Sequence, residues 1–554
     1  MKFSIQCIDC GHLTSYHPGE VSCPKCGSQW REAIYPYDEI QQGFLEKIKD
    51  RRFDLWRYRE VLPIHNPILA LKMGEGGTPL IQAVNLGLML GCPNIFIKDE
   101  RQGPTTSFKD RQAAVTIAAL KEAGITEMVV ASTGNVAIAY SAYAARAGIK
   151  LWAFVTSLVP ALKMREIALY GSQVVKVTGS YDQVKKIASE FAEQRGLYQD
   201  RGARTITSIE GMKTIAYEVA EQLTEELGPP ENAAVPWRTP DWYVQSLSGG
   251  MGPIGVSKGF RELAQMGIVD RMPAIAGIQS AGCAPMVNAW KQNQPEADPV
   301  TNPQTHIETL ATGTPGRTYP ILRGLFQRDG GVFESVTDEE AYRAMHILAK
   351  MEGISAEPAA AVAFAGVFKL IRAGTIKPTD IVVINCTGHT MPAEPLVLGA
   401  GWSCDINMPP EEEQKPQEEG LLAALNHIAP DRFPRVLIVD DSPEARRLVR
   451  RILQSQGAYT FFEAANGREA LEQVNREHPD LIILDLMMPE IDGFAVLDAL
   501  KSNPDTASIP VIVSSAKELT PDEKRRLQGQ IQALMQKGGF MSDDLLEEVQ
   551  ALLK

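Results

Sequence analysis

Short apolar runs alternate with amphipathic stretches through most of the chain. The runs Asn94 to Lys98, Met128 to Ala131, Leu151 to Val155, Val174 to Val177, Trp242 to Leu247, Ala274 to Ile278 and Asp380 to Cys386 have the length of strands. Between them, Tyr181 to Arg195, Gly211 to Leu227 and Asp338 to Gly353 carry apolar residues at helical spacing. A further helix is predicted from Ser107 towards Glu122, after a Gly103-Pro104 turn. Such alternation predicts an α/β fold with a parallel sheet covered on both faces. Its sites then lie where strands give way to helices.

The pattern lapses at 409–433. There Pro409-Pro410-Glu411-Glu412-Glu413 and the residues that follow combine proline with like charge, which marks an acidic, proline-rich linker. Within it, Leu421 to Ile428 is a short apolar turn. A second βα alternation occupies 434–554 and starts at Arg435 to Val439. At the other end, residues 1–31 form a separate small unit, leaving 32–408 as the main domain.

That small unit holds Cys7, Cys10, Cys23 and Cys26 as two C-x2-C pairs, each followed by glycine. Two such knuckles can close a tetrahedral zinc site, and a segment this short needs metal to fold. The plainer alternative is a pair of redox thiols. Four thiolates leave no open coordination position, so a metal there would be structural.

Composition narrows the rest. The chain has 554 residues, 44% hydrophobic and 22% charged, with a formal net charge of −13. That balance argues against nucleic acid and anionic membranes as general partners. There is no apolar run of membrane-spanning length and no signal-peptide pattern. Eight cysteines do not make a disulfide framework in a chain of this size, so a cytoplasmic setting is expected.

Candidate chemistry gathers at strand ends. Lys109, in Thr105-Thr106-Ser107-Phe108-Lys109-Asp110-Arg111, opens a helix, where the positive end of the dipole favours a neutral amine suited to attack on an aldehyde. Ser132-Thr133-Gly134-Asn135 joins a strand to the helix Val136 to Ala145, a place for an anion or for ordinary capping. Ser248-Gly249-Gly250-Met251-Gly252 precedes the helix Ile254 to Met266, and its glycines let amides converge on a phosphate. Thr387-Gly388-His389 ends the strand Asp380 to Cys386.

These strings, with Gly74 to Leu80 and Gly353 to Ala359, resemble the threonine synthase family of pyridoxal-phosphate enzymes in the expected order. The resemblance implies the two-subdomain fold type II architecture, a cofactor imine at Lys109 and a ribbon like the N-terminal one. It places Asn135 against the cofactor's phenolic oxygen, Ser248, Gly249, Gly250, Met251 and Gly252 around its phosphate, and Thr387 at its pyridine nitrogen. Ser132 and Thr133 would meet the carboxylate of an amino-acid substrate. Lys163 would meet the substrate phosphate, with Arg165, Arg111 and Arg317 as further cations. The implied reaction is that of a lyase, O-phosphohomoserine and water to threonine and phosphate, in a homodimer. Thr105-Thr106, Ser157 to Pro160, Ala311 to Arg317 and a phosphate loop without asparagines depart from the family's common form. They keep a serine/threonine dehydratase, a β-replacement enzyme or a ligand-sensing adaptor open as alternatives.

The segment 434–554 resembles the flavodoxin-like receiver domain of response regulators. Strand Val436 to Val439 ends in Asp440-Asp441, strand Leu481 to Leu484 ends in Asp485, and Val511 to Ala516 carries Ser515. The resemblance implies magnesium on Asp440, Asp441 and Asp485, phosphorylation of Asp485, and Ser515 and Lys537 as switch residues. Met535 stands where an aromatic switch residue is common. With no kinase site in the chain, the partner is a histidine kinase or a small phosphodonor.

Overall fold

In the computed structural model of the chain, β1 (Ser4–Cys7) lies between β2 (Leu13–Thr14) and β3 (Arg31–Ile34), antiparallel to both. The structure describes residues 2–66, 71–132, 134–157, 159–178, 181–231, 234–389, 434–454, 459–515, 519–536, 545, 549 and 551–553. Thr133, Lys537 and the 409–433 linker with its apolar turn therefore lie outside the described residues. β3 straddles the boundary expected at residue 31 and continues the small sheet to Ile34.

The main domain continues with β4 (Leu80–Gln82), β5 (Ile95–Asp99), β6 (Glu127–Ser132), β7 (Lys150–Thr156), β8 (Gln173–Val177), β9 (Tyr198–Gln199), β10 (Trp242–Ser246), β11 (Ala274–Ser280), β12 (Val332–Val336) and β13 (Val382–Cys386). They build two sheets, ordered β12-β11-β10-β13-β5-β4 and β8-β7-β6-β9. Every pairing is parallel except β4 with β5. All residues of β5, β10 and β13 are buried, as strands covered on both faces must be. The α/β arrangement with two subdomains is therefore present.

One core surrounds the helices Ile206–Leu227 and Met251–Gln265. They approach closely because Gly255 and Gly259 face the first helix; a Cβ on them would lie 2.5 Å from Met212 Cβ and 2.4 Å from Lys213 O. The other core joins the helices Lys109–Glu122 and Asn135–Ala147 to β6 and β7.

Residues Ile206 to Glu221 are almost all buried, charged ones included. Lys213 and Lys258 bond Glu210 and Glu262 at 2.5 to 3.1 Å. Tyr35 donates to Glu210 at 2.8 Å, and Tyr37 to Glu262 at 2.9 Å. Two cations and two carboxylates offset one another here. The tyrosines fasten the chain just after β3 to the enzyme core.

The described residues form two compact units, one of Met1–Ala83, Asn94–Met345 and Ser355–Pro392, the other of Val84–Pro93, His346–Ile354 and Ala393–Lys554. The second contains β14 (Arg435–Val439), β15 (Thr460–Ala464), β16 (Leu481–Asp485), β17 (Val511–Ser515) and β18 (Ala533–Gln536), a parallel sheet ordered β15-β14-β16-β17-β18. That order is the flavodoxin-like one. No helix among the described residues is long and apolar enough to cross a membrane.

Candidate active site

The segment between β5 and the helix Lys109–Glu122 is shaped by its own hydrogen bonds. Thr105 donates its N–H and hydroxyl to Asp110 at 2.9 and 2.7 Å, while Thr106 takes a left-handed φ of 57°. Burial pushes the Asp110 carboxyl up to about 7. Phe108 N donates to Thr387 O at 3.1 Å and His389 N to Thr106 O at 3.2 Å, so the end of β13 is laced to this segment. Lys109 and Thr387 consequently line the same cavity of about 450 Å³.

The Lys109 ammonium stands 4.1 Å from the centroid of the Phe108 ring. Burial lowers its pKa to about 8, against the opposing pull of Asp200 and Glu357. An amine so placed is neutral far more often near neutral pH than an ordinary lysine, which favours its use as a nucleophile.

Asn135 donates to Glu357 at 2.8 Å and accepts from Lys163 at 2.9 Å, and Lys163 also pairs with Glu357 at 3.3 Å. Lys163 is thus spoken for by Asn135 and Glu357. Its stem passes beside Gly134, whose φ of 138° suits glycine. Ser132 is 1% exposed, and its hydroxyl accepts from Gly134 N at 2.9 Å and Ala137 N at 3.0 Å. That is helix capping; Ser132 and Lys163 do not line the cavity, contrary to the expectation of substrate contact.

The glycine loop does reach it. Ser248, Gly249, Gly250, Met251 and Gly252 all line the cavity. Gly250 is the N-cap of the helix Met251–Gln265 with φ 78° and no side-chain cap, so the first amides of that helix have no side-chain acceptor there. A Cβ on Gly249 would meet nothing within 4 Å, whereas one on Gly252 would lie 2.3 Å from Gln245 Nε2. Ser248 Oγ lies 2.6 Å from Thr312 Oγ1.

Arg111 is not a cavity residue. It is 1% exposed and gives its guanidinium to Glu100 at 2.6 and 2.7 Å and to Glu218 at 2.7 and 2.8 Å. Arg165 is exposed and also lies off the lining. The cations that line it are Lys109, Lys185, Arg201, Arg204 and Arg317. Of these, Lys109 and Arg317 were expected from sequence; Lys185, Arg201 and Arg204, and the acids Asp200 and Glu357, were not assigned roles there. Asp200 accepts from Ser208 at 2.9 Å and Gly202 N at 2.6 Å, and from Tyr140, and burial raises its pKa. Glu357 precedes Pro358 at the start of the helix Pro358–Arg372, a helix-entry signal that gave no hint of a site role.

Two other clusters stand apart. Cys7, Cys10, Cys23 and Cys26 bring their sulfurs within 4.8 Å of one another, with Cys7 to Cys26 at 3.5 Å and Cys10 to Cys23 at 3.7 Å. In the second unit, Asp440, Asp441 and Asp485 bring carboxylate oxygens within 4.8 Å, and Ser515 is buried at the end of the neighbouring β17.

Residues 71–388 match the model for pyridoxal-phosphate dependent enzymes, and the chain belongs to that family. Within it, the similarity is to threonine synthases. The chain is 32% identical to the threonine synthase of Methanocaldococcus jannaschii over 410 residues, 73% of this chain and 97% of that one. It is 33% identical to that of Methanosarcina acetivorans over 390 residues, 70% of this chain and 92% of that one. Residues 436–550 match the response regulator receiver domain. Among solved structures, threonine deaminase isoform 2 from Solanum lycopersicum has a TM-score of 0.49 at 21% identity, over 69% of this chain and 92% of that one.

The residues present fit the family's cofactor. A lysine with a lowered pKa faces a glycine cradle with open space at Gly249 and a helix start lacking a side-chain cap. That donor set suits an aldehyde carrying a phosphate.

Proposed function

We propose that this chain is a threonine synthase-like lyase, releasing phosphate from O-phosphohomoserine and adding water to give threonine, fused to a phosphorylatable receiver. The observation that carries it is the grouping of Lys185, Arg201, Arg204 and Arg317 around the cavity that holds Lys109. A dehydratase acting on free serine or threonine has no leaving phosphate to neutralise; a phosphorylated substrate does.

In this reading Lys109 holds pyridoxal phosphate, with Ser248, Gly249, Gly250, Met251 and Gly252 about the cofactor phosphate and Thr387 at the ring nitrogen. The bound cofactor supplies an electron sink for the substrate's α-carbon. Lys109, released when the substrate's own amine takes its place on the cofactor, would take the proton from that carbon and return one. Glu357 and Lys163 hold the amide of Asn135 from both ends, which fixes the face it presents to the ring. Asp200, buried in the same lining, pulls on the Lys109 charge and tempers its loss. The arginines receive the departing phosphate.

Elsewhere, Cys7, Cys10, Cys23 and Cys26 hold structural zinc. Asp440, Asp441 and Asp485 hold magnesium, Asp485 accepts the phosphoryl group, and Ser515 and Lys537 read it. The deciding assay measures phosphate release from O-phosphohomoserine beside ketoacid formation from threonine. Phosphate release dominates if the reading is right; ketoacid without phosphate overturns it.

A further inference from the structure

The N-terminal sheet reaches the substrate cavity. Trp30, between Cys26 and β3, is one of the cavity's lining residues, with Arg204 and Arg317. Both arginines are held from the ribbon side. Arg317 forms a two-pronged ion pair with Asp9, Nη1 to Oδ2 at 2.7 Å and Nη2 to Oδ1. Asp9 sits inside the first knuckle, between Cys7 and Cys10. The Arg317 guanidinium also lies 5.7 Å from the centroid of the Trp30 ring. Arg204 donates to Gln29 Oε1 at 2.7 Å.

The two arginines come from distant stretches of the main domain, one after β9 and one just before the helix Thr318–Asp329. Among the described residues, neither guanidinium donates to any other side chain. Arg204 is held close to a like charge: burial lowers its pKa first, and the nearby Arg201 lowers it further. Arg204 is therefore crowded by Arg201, and Gln29 on Arg204 and Asp9 on Arg317 are the ribbon groups that fix the two side chains on one wall.

The knuckle end of the ribbon has little packing of its own. Its buried apolar set is Phe3, Ile5, Ala33 and Tyr35 against Ile206, all at the sheet end. Asp9 and Gln29 therefore keep their places only as long as the four sulfurs are held together. We propose that the ribbon is a wall of the substrate cavity, and that metal in its four-cysteine site sets the affinity for anionic substrate by holding Arg317 and Arg204 in place. Asp9 is a positioning residue. The inference rests on the cavity accepting a phosphate, whichever reaction follows.

The test uses the full-length protein loaded with pyridoxal phosphate, with inorganic phosphate as the probe, titrated calorimetrically. Wild type, Asp9→Ala, Asp9→Glu, Arg317→Ala and the Asp9→Ala/Arg317→Ala double variant are compared, with far-ultraviolet circular dichroism as a check on folding. Exposed ion pairs of this kind set an expected loss of about two- to fivefold in phosphate affinity for Asp9→Ala. Asp9→Glu recovers part of it, and Asp9→Ala adds nothing once Arg317 is gone. With O-phosphohomoserine the loss appears in KM and leaves kcat in place. Stripping the metal from wild type, followed by zinc content, lowers phosphate affinity to at least the Asp9→Ala level. Wild-type affinity in Asp9→Ala or in the metal-stripped protein overturns the inference alone. A wild type that binds no phosphate overturns it together with the phosphorylated-substrate reading.

Discussion

Replacing Arg111 with methionine separates a structural cation from a substrate-binding one. The five N–H groups of the guanidinium make six contacts, one of them sharing a hydrogen, to Glu100, Glu218, Thr214 and Thr78, between 2.6 and 3.1 Å. Lys98 adds a 2.7 Å bond to Glu218, so two cations face two carboxylates in a site 0 to 2% exposed. Burial alone would raise the Glu218 carboxyl; Arg111 and then Lys98 overcome it and hold it at about 2. Arg111→Met leaves one buried carboxylate uncompensated, at a cost of about 3–5 kcal/mol. Adding Glu100→Gln restores the charge balance and should recover roughly 2 kcal/mol through coupling between the two sites. The assay is urea unfolding of the loaded full-length protein, followed by tryptophan fluorescence, with phosphate affinity measured in parallel. The reasoning predicts a lower midpoint with phosphate affinity intact in the folded variant. An unchanged midpoint with weakened phosphate binding would refute it and return Arg111 to the cavity.

Four further outcomes can be measured. Lys109 titrates near 8 when folded without cofactor and near 10.5 when unfolded, so the unfolded chain binds the extra proton in that window. Stability of the cofactor-free protein should therefore rise from pH 8 to 10.5, by about 3 kcal/mol relative to Lys109→Met, in matched urea titrations. Gly252→Ala drives a Cβ onto Gln245 and should cost about 1–3 kcal/mol of stability. Gly249→Ala meets only open space, so it should leave the unfolding midpoint in place while weakening cofactor binding, as read by spectroscopic titration. Incubation with a small phosphodonor and magnesium should label wild type and not Asp485→Asn, read by phosphate-affinity electrophoresis.

The parallel sheets were legible because their strands are buried on both faces and open on apolar runs, as in Trp242-Tyr243-Val244 of β10 and Val382-Val383-Ile384 of β13. Helix Ile206–Leu227 was legible only from Gly211, because Thr207, Ser208 and Glu210 are buried and face Thr116, Asp200 and the Tyr35, Lys213 and Lys258 side chains, partners no pattern reveals. At the site, Lys109, the glycine loop and Thr387 stood out because their chemistry is local. Ser132 did not separate capping from binding, since one hydroxyl serves either. Lys163 and Arg111 looked like free cations, and only tertiary contact shows which carboxylates they face. Asp200 and Trp30 carry no local signature at all; their place depends on where β9 ends and where the ribbon lands.

The account depends most on the attachment at Lys109, and reductive trapping tests it directly. Full-length protein with pyridoxal phosphate is treated with borohydride, digested, and sequenced by tandem mass spectrometry. The reduced pyridoxyl group is predicted on the lysine of Ser107-Phe108-Lys109-Asp110-Arg111, and nowhere in Lys109→Ala. A stable label on another lysine, or none in a protein that retains its fold, would contradict the account.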